Sequence, residues 1–388
     1  MTLVLGILEK ARGITTKRLW ELVRELPIGL NDLYDKILSK IASENEEGGN
    51  CDLVRQILTW AVLAARPLTL AELRIALAVK LNTTSIDENE VIRNIREVET
   101  LCGAFVEIVP AQISAEVHES SESIQLEDEE HSADTVRLIH QSAKDYLLDR
   151  LFKLKEPISV FRIEPPKGHL EISLQCLTYL LFDEFDDKRK QSGLHGRTAA
   201  EAFGDDEDGS YEAMVLQDKL ERHPFLKYAS VHWPFHVRQI SPMEGQEIIH
   251  LACKFLCSPA NFQNSLRIRS YLKDPNLRYS HSPSALNFAA SLGLYHVVED
   301  LLKDHRIDIN EPDDLGEATL SAVAITAGDH LSEKPRIVQL LIDRGARLTC
   351  CPCHGRSPLQ WAITNSGHLE LCKVFLNNGA ASETFDIG

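Results

Sequence analysis

No run of apolar residues in this 388-residue sequence approaches the roughly 18 needed to span a bilayer as a helix. A membrane-spanning segment is therefore not expected. The opening stretch, MTLVLGILEKARG, is briefly apolar, but no basic region precedes it and charges follow at once. It reads as the start of a helix and not as a secretory signal. Cysteine is sparse and uneven, nine in the chain, which does not look like a secreted disulfide framework. The simplest expectation is a reduced, cytoplasmic protein. Positive charge is also short: 41 Lys and Arg stand against 58 Asp and Glu, for a net charge of -17. A chain this acidic repels phosphate unless it carries a local basic patch, and none is visible. Nucleic acid is not expected as a partner.

What is present is an ordinary globular balance of 44% hydrophobic and 26% charged residues. The length calls for two or three domains. Leu19, Leu22, Val23 and Leu26 recur at helical spacing, Pro27 and Gly29 interrupt, and Leu30, Leu33, Ile37, Leu38 and Ile41 resume it. The polar stretch ENEEGGN, residues 44–50, predicts a loop. Val54, Ile57, Leu58, Ala61, Val62 and Ala65 then share one helical face, which Arg66-Pro67 ends. Thr69 with Glu72 three residues later predicts a capping box. A third helix is expected from about Asp87 to Leu101.

Residues 104–109 (AFVEIV) and 136–140 (VRLIH) predict two strands, with a helix capped by Ser142 after the second and Asp145 at its box position. Between the strands, residues 111–134 hold eight acidic residues and no Lys or Arg, and are expected to be disordered. Three helices, two strands and a closing helix make a winged-helix order. A DNA-reading role for its third helix is disfavoured, because Arg93 and Arg96 stand among Glu88, Glu90, Glu97 and Glu99. Residues 168–272 predict helices broken by a polar loop from Lys188 to Ser210.

Beyond Pro275 the pattern becomes a repeat. SALNFAA (284–290), ATLSAVA (318–324) and SPLQWAI (357–363) start 34 and then 39 positions apart, the longer spacing containing an insertion at Gly328 to Pro335. Each is similar to the T-P-L-H-x-A start of an ankyrin repeat, whose period is about 33. Second helices follow at Val297–Leu302, Ile337–Ile342 and Leu371–Leu376. Gly293 and Gly367 stand where the turn between helices needs a left-handed backbone. Three repeats are thus expected from about Ser282 to Ala381. One repeat cannot bury its own apolar face, so neighbours must stack. The expected partner surface is the set of hairpin tips, Asp313, Asp314 and Leu315, then Cys351, Cys353 and His354.

The front half resembles a known family. Leu26-Pro27-Ile28-Gly29-Leu30 and Leu33-Tyr34-Asp35 are similar to the segment after the nucleotide-binding NACHT module of fungal NOD-like receptors. Leu58-Thr59-Trp60-Ala61, Arg66-Pro67-Leu68-Thr69 and the run from Val136 to Leu147 resemble that family's winged helix. Cys176-Leu177-Thr178-Tyr179-Leu180, Phe225–Ala229 and His232-Trp233-Pro234 resemble its helical spacer. The resemblance implies a signalling switch in which the NACHT module oligomerises and the repeats sense a partner. The chain departs from the pattern in one respect. It has no G-x-x-x-x-G-K-[ST] phosphate loop and no Gly-Lys pair, so nucleotide hydrolysis is not carried over. The module is expected upstream of Met1, unless the chain is a free-standing adaptor acting in trans. Further repeats or a cap are expected beyond Gly379-Ala380. Winged helices of this type also bear the name of GPI inositol-deacylase, but the G-x-S-x-G elbow of a lipase-like enzyme is absent.

Three clusters invite chemistry. Cys350, Cys351, Cys353 and His354 have zinc-like spacing but need a further ligand pair; the simpler reading is a variable hairpin. His140, Ser142 and Asp145 look like a triad, yet capping explains them better. The cluster from His232 to His236 is expected as core packing. The sequence thus predicts a mainly α protein: a helical segment (1–50), a winged-helix domain with a small β-hairpin (51–152), a helical spacer (153–275) and an α-solenoid of ankyrin repeats (276–388). It is expected to bind a protein and to use no cofactor, metal or catalytic residue.

Overall fold

The computed structural model describes residues 29–46, 49–92, 96–111, 133–149, 158–186, 210–241, 243, 245–272, 283–313, 316–326, 332–349, 355–366 and 369–380. The first predicted helix, nearly all of the acidic loop, Gly367 and the Cys350 to His354 cluster lie outside them. Helices dominate, and the described residues contain one two-stranded antiparallel sheet. The chain divides into two compact units, Met1–Val79 with Ile86–His169, and Lys80–Ser85 with Leu170–Gly388.

In the first unit, α1 (Leu30–Glu46) and α2 (Cys51–Leu63) carry the apolar stripes seen in the sequence. Tyr34, Leu38, Ile41, Val54, Ile57 and Leu58 are buried. α1 runs on through Glu46, so the loop expected from residue 44 begins later. α3 (Leu70–Ala78) opens on the predicted capping box: Glu72 N–H donates to Thr69 Oγ1 at 3.2 Å and Thr69 N–H to Glu72 Oε2 at 2.9 Å. Arg66 adds a two-pronged grip on the Glu72 carboxylate at 2.7 and 2.6 Å.

The third helix is shorter than expected. Asp87 caps only a 3-10 turn, Glu88–Glu90, and α4 spans Arg96–Cys102. The cause is local. Arg74 Nε donates to the Ile92 carbonyl at 2.6 Å, the acceptor that a continuous helix would offer to residue 96. Strands β1 (Val106–Val109) and β2 (Thr135–Leu138) pair antiparallel, Val106 opposite Leu138. Residues 68–70 flank β2 on its other side through Val136 N–H to Leu68 O and Leu70 N–H to Asp134 O. The hairpin is thereby anchored to the start of α3.

α5 (Gln141–Leu148) corrects a second expectation, because its cap is His140 and not Ser142. Ser142 N–H donates to His140 Nδ1 at 3.1 Å, and Ser142 Oγ shares a 2.8 Å hydrogen bond with Tyr34 OH. Asp145 accepts from Gln141 at 3.3 Å. The trio therefore caps a helix and ties it to α1.

The second unit begins its helices with the residues of α6 (Pro165–Leu180) from Leu170 onward. α7 (Ser210–Arg222), α8 (Phe225–Val237), α9 (Gln246–Leu256) and α10 (Pro259–Tyr271) follow. Aromatic rings hold them: Tyr179 lies 5.2, 5.1 and 5.1 Å from Phe182, Phe185 and Phe225. Asn261, buried on α10, donates to the carbonyls of Leu180 and Phe182. The predicted core cluster is core: Trp233 and His236 are fully buried, and His236 Nε2 bonds Tyr228 OH at 2.8 Å.

Three helix pairs complete the unit: α11 (Ala285–Ser291) with α12 (Tyr295–Leu301), α13 (Thr319–Ile325) with α14 (Lys334–Asp343), and α15 (Pro358–Trp361) with α16 (Leu369–Asn377). A π turn, Ala362–Ser366, extends α15. First helices stack on first helices and second on second, the pattern of a solenoid.

Candidate partner-binding array

Each repeat is closed by the residues its sequence supplies. Ser284 and Ser357 cap α11 and α15 through their hydroxyls, and Gln360 completes a capping box with Ser357. Ala318 stands at the equivalent place before α13 and gives no side-chain cap. Gly293 takes φ 72°, as the turn between α11 and α12 requires. Gly345 and Gly379 end α14 and α16 at φ 96° and 85°. The following residues donate back, Ala346 to Leu341 O and Ala380 to Phe375 O, which satisfies carbonyls the helix ends leave open.

Polar side chains set the stacking register between repeats. Thr319 Oγ1 donates to Asn287 Oδ1 at 2.6 Å, and Asn287 Nδ2 donates to Glu317 O at 3.2 Å. Asn310 binds the next repeat end through Gly345 O and Arg347 N–H. Gln339 and Asn378 exchange amide hydrogen bonds between α14 and α16. Those of Asn287, Thr319, Gln339 and Asn378 are buried or half-buried, where an unmet partner costs about 1–3 kcal/mol, so they fix one register; Asn310's two are exposed.

Of the six residues expected at the hairpin tips, Asp313 is described; Asp314, Leu315, Cys351, Cys353 and His354 lie outside the described residues. Asp313 shapes its own turn. Its carboxylate accepts from Glu317 N–H at 2.8 Å, its N–H donates to Glu317 O, and its carbonyl accepts from Gly316 N–H. Gly316 takes φ 78° there. These three hydrogen bonds hold the described part of the tip.

The sequence did not disclose how the array begins. The first repeat's open side is covered by the spacer. Phe288 of α11 lies 5.1 Å from the Phe262 ring, 6.3 Å from Trp233 and 5.1 Å from the Arg269 guanidinium. Arg269 is 1% exposed and donates to the carbonyls of Ser230 and Val231 at 2.7 and 3.1 Å, binding α10 to α8 beneath the repeat. α9 meanwhile packs on α12, with Cys253 Sγ 3.8 Å from Val297 O.

Three described thiols of the second unit are poor nucleophiles. Burial pushes the Cys253, Cys257 and Cys372 thiols up, Cys253 also feeling the Asp300 carboxylate, so they stay protonated near neutrality. Among the described residues, no group of three His, Cys, Asp or Glu side chains is placed to hold a metal ion. Nor is any described helix long and apolar enough to cross a membrane.

Comparison with known proteins agrees with this geometry. Residues 286–386 match the family model of ankyrin repeats in three copies. Residues 48–134 match the model of the GPI inositol-deacylase winged helix domain, so the likeness is to the winged helix and not to a catalytic domain. The chain is 23% identical over 233 residues to the vegetative incompatibility protein HET-E-1 of Podospora anserina, covering 59% of this chain and 14% of that protein. It is 30% identical over 136 residues to alpha-latrocrustotoxin-Lt1a of Latrodectus tredecimguttatus, covering 34% of this chain and 9% of the toxin. The chain thus spans a small part of the length of either relative.

Proposed function

We propose that this chain is a non-catalytic, cytoplasmic regulatory module that binds a protein partner through its repeat array. One observation carries the reading. The array is a stack whose first face is closed by Trp233, Phe262 and Arg269. In the first hairpin the described tip residues Asp313, Gly316 and Glu317 form a tight turn, and partner contacts are assigned there and to Asp314, Leu315, Cys351, Cys353 and His354. A rigid stack with variable tips suits protein recognition. Cross-linking mass spectrometry of the full chain with its captured partner tests this. Partner cross-links are expected on residues 308–317 and 346–357; cross-links confined to the winged helix would overturn the proposal.

The finer reading is that the winged helix and spacer belong to the regulatory half of a NOD-like receptor. Its support is the likeness to the vegetative incompatibility protein together with the order of winged helix, spacer and repeats. In this reading any oligomer forms through an upstream NACHT module. Sequencing the transcript upstream of Met1 decides it. A G-x-x-x-x-G-K-[ST] loop in frame supports the switch; stop codons there contradict it and favour a stand-alone adaptor.

A further inference from the structure

Where the spacer meets the first two repeats, the second unit forms a half-open cavity of about 330 Å³. That is the size of a small-ligand site, at the lower end of the roughly 300–1,000 Å³ range. Its walls come from the end of α8, the start of α9, the turn between α11 and α12, and the start of α14. The apolar part is firm. Ile248 is 1% exposed and Leu294 is 3% exposed, and half-buried Ile240 lines the wall beside Gly245. A Cβ on Gly245 would stand 2.9 Å from Ile240 Cγ2 and 3.2 Å from Ser241 O, so this wall admits no added side chain without a shift.

The charged part is unlike the chain around it. Two guanidinium groups, Arg238 and Arg336, face one carboxylate, Glu333, on a protein of net charge -17. Arg238 Nη1 is fixed on the Leu292 carbonyl at 2.8 Å. Arg336 is spread over the Tyr295 ring, 4.2 Å from its centre, and touches Glu333 at 2.7 Å. The Arg336–Glu333 pair is half exposed and three residues apart in sequence, a kind of pair worth roughly 0.3–0.5 kcal/mol. An incoming carboxylate can replace Glu333 at little loss, while the ring keeps the guanidinium flat and in place.

We infer that this cavity binds a carboxylate carried on an apolar stem, the acid group on Arg336 and the stem between Tyr295, Leu294 and Ile248. The same chemistry arises from a free aryl- or alkyl-carboxylate, or from an acidic residue beside a bulky apolar one in a peptide. The site is separate from the hairpin tips, so it stands or falls independently of partner binding there.

Amide NMR of the isotope-labelled full chain tests the inference, with 4-phenylbutyrate, its neutral amide, and the capped peptide acetyl-Ala-Glu-Phe-Ala-amide as probes. The Gly293 and Gly245 resonances are expected to shift saturably with the acid, the peptide, or both, and at least fivefold more weakly with the neutral amide. Response to the acid alone assigns a small-molecule site; response to the peptide alone assigns a peptide site. Arg336→Gln, at an exposed position, is expected to stay folded by circular dichroism and to bring acid or peptide down to the level of the neutral amide. Tyr295→Ala is expected to weaken all binding. No shift with either acid or peptide, equal response to the neutral amide, or full binding by Arg336→Gln overturns the inference.

Discussion

Lys334 shows what one residue can hide. The second repeat carries an insertion, and the segment GDHLSEKP looks solvated throughout. Yet Lys334 is fully buried, and its ammonium donates to Val323 O at 3.0 Å and to Thr326 O. It closes the end of α13 where the first repeat uses Gly293. The insertion was legible because the repeat period lengthened; the buried lysine was not, because its partners are carbonyls and carry no sequence signature. Burial holds its pKa down to about 7 from 10.5. Between these values the unfolded chain binds the proton more tightly than the folded one, so stability rises with pH and is lost as pH falls toward 7. Buried Tyr179 and Cys176, whose pKa values are pushed up, act in the opposite sense once the unfolded groups ionise above about 8.5. Urea unfolding of the second unit is therefore expected to show a gain on the order of 1 kcal/mol from pH 7 to 8.5. Lys334→Met is expected to remove that slope, even though it also loses two carbonyl contacts. A slope unchanged in the variant would show that another group titrates.

Elements were legible where a cap or a period wrote them out. Thr69 and Glu72, Ser357 and Gln360, and the glycines ending α14 and α16 all do in the fold what their spacing says. Elements were misread where a distant side chain intervened. Arg74 takes the Ile92 carbonyl and stops a helix that its local sequence favours, and His140 takes the cap that Ser142 was expected to supply. The seal of α8 and α10 on α11 belongs to the same class, since only the fold brings Trp233, Phe262 and Arg269 together. Phe288→Ala should accordingly cost about 3–5 kcal/mol, the range for emptying a buried phenylalanine site. A lowered unfolding midpoint is expected together with a red-shifted emission from Trp233. A midpoint within error of the parent would mean that the spacer does not support the array.

At the scale of the molecule, the fold class was readable because solenoid repeats and a winged-helix order are patterns of many residues at once. The candidate site was readable only as a location. Hairpin tips are variable by construction, so their positions follow from the period while their chemistry does not follow from any rule of folding. Asp313 illustrates the difference: it sits at the predicted tip, but its carboxylate is occupied in shaping the turn. Under the proposed function, partner choice is assigned to Asp314 and Leu315 in the first hairpin and to Cys351, Cys353 and His354 in the second.

The central claim is that these tips, and not the winged helix, hold the partner. Its most direct test is the affinity of the identified partner for the full chain and for a variant carrying Asp314→Lys, Leu315→Ala, Cys351→Ser, Cys353→Ser and His354→Ala. The account predicts at least a tenfold loss of affinity with an unchanged unfolding midpoint and circular dichroism spectrum. Undiminished affinity in that folded variant would contradict it.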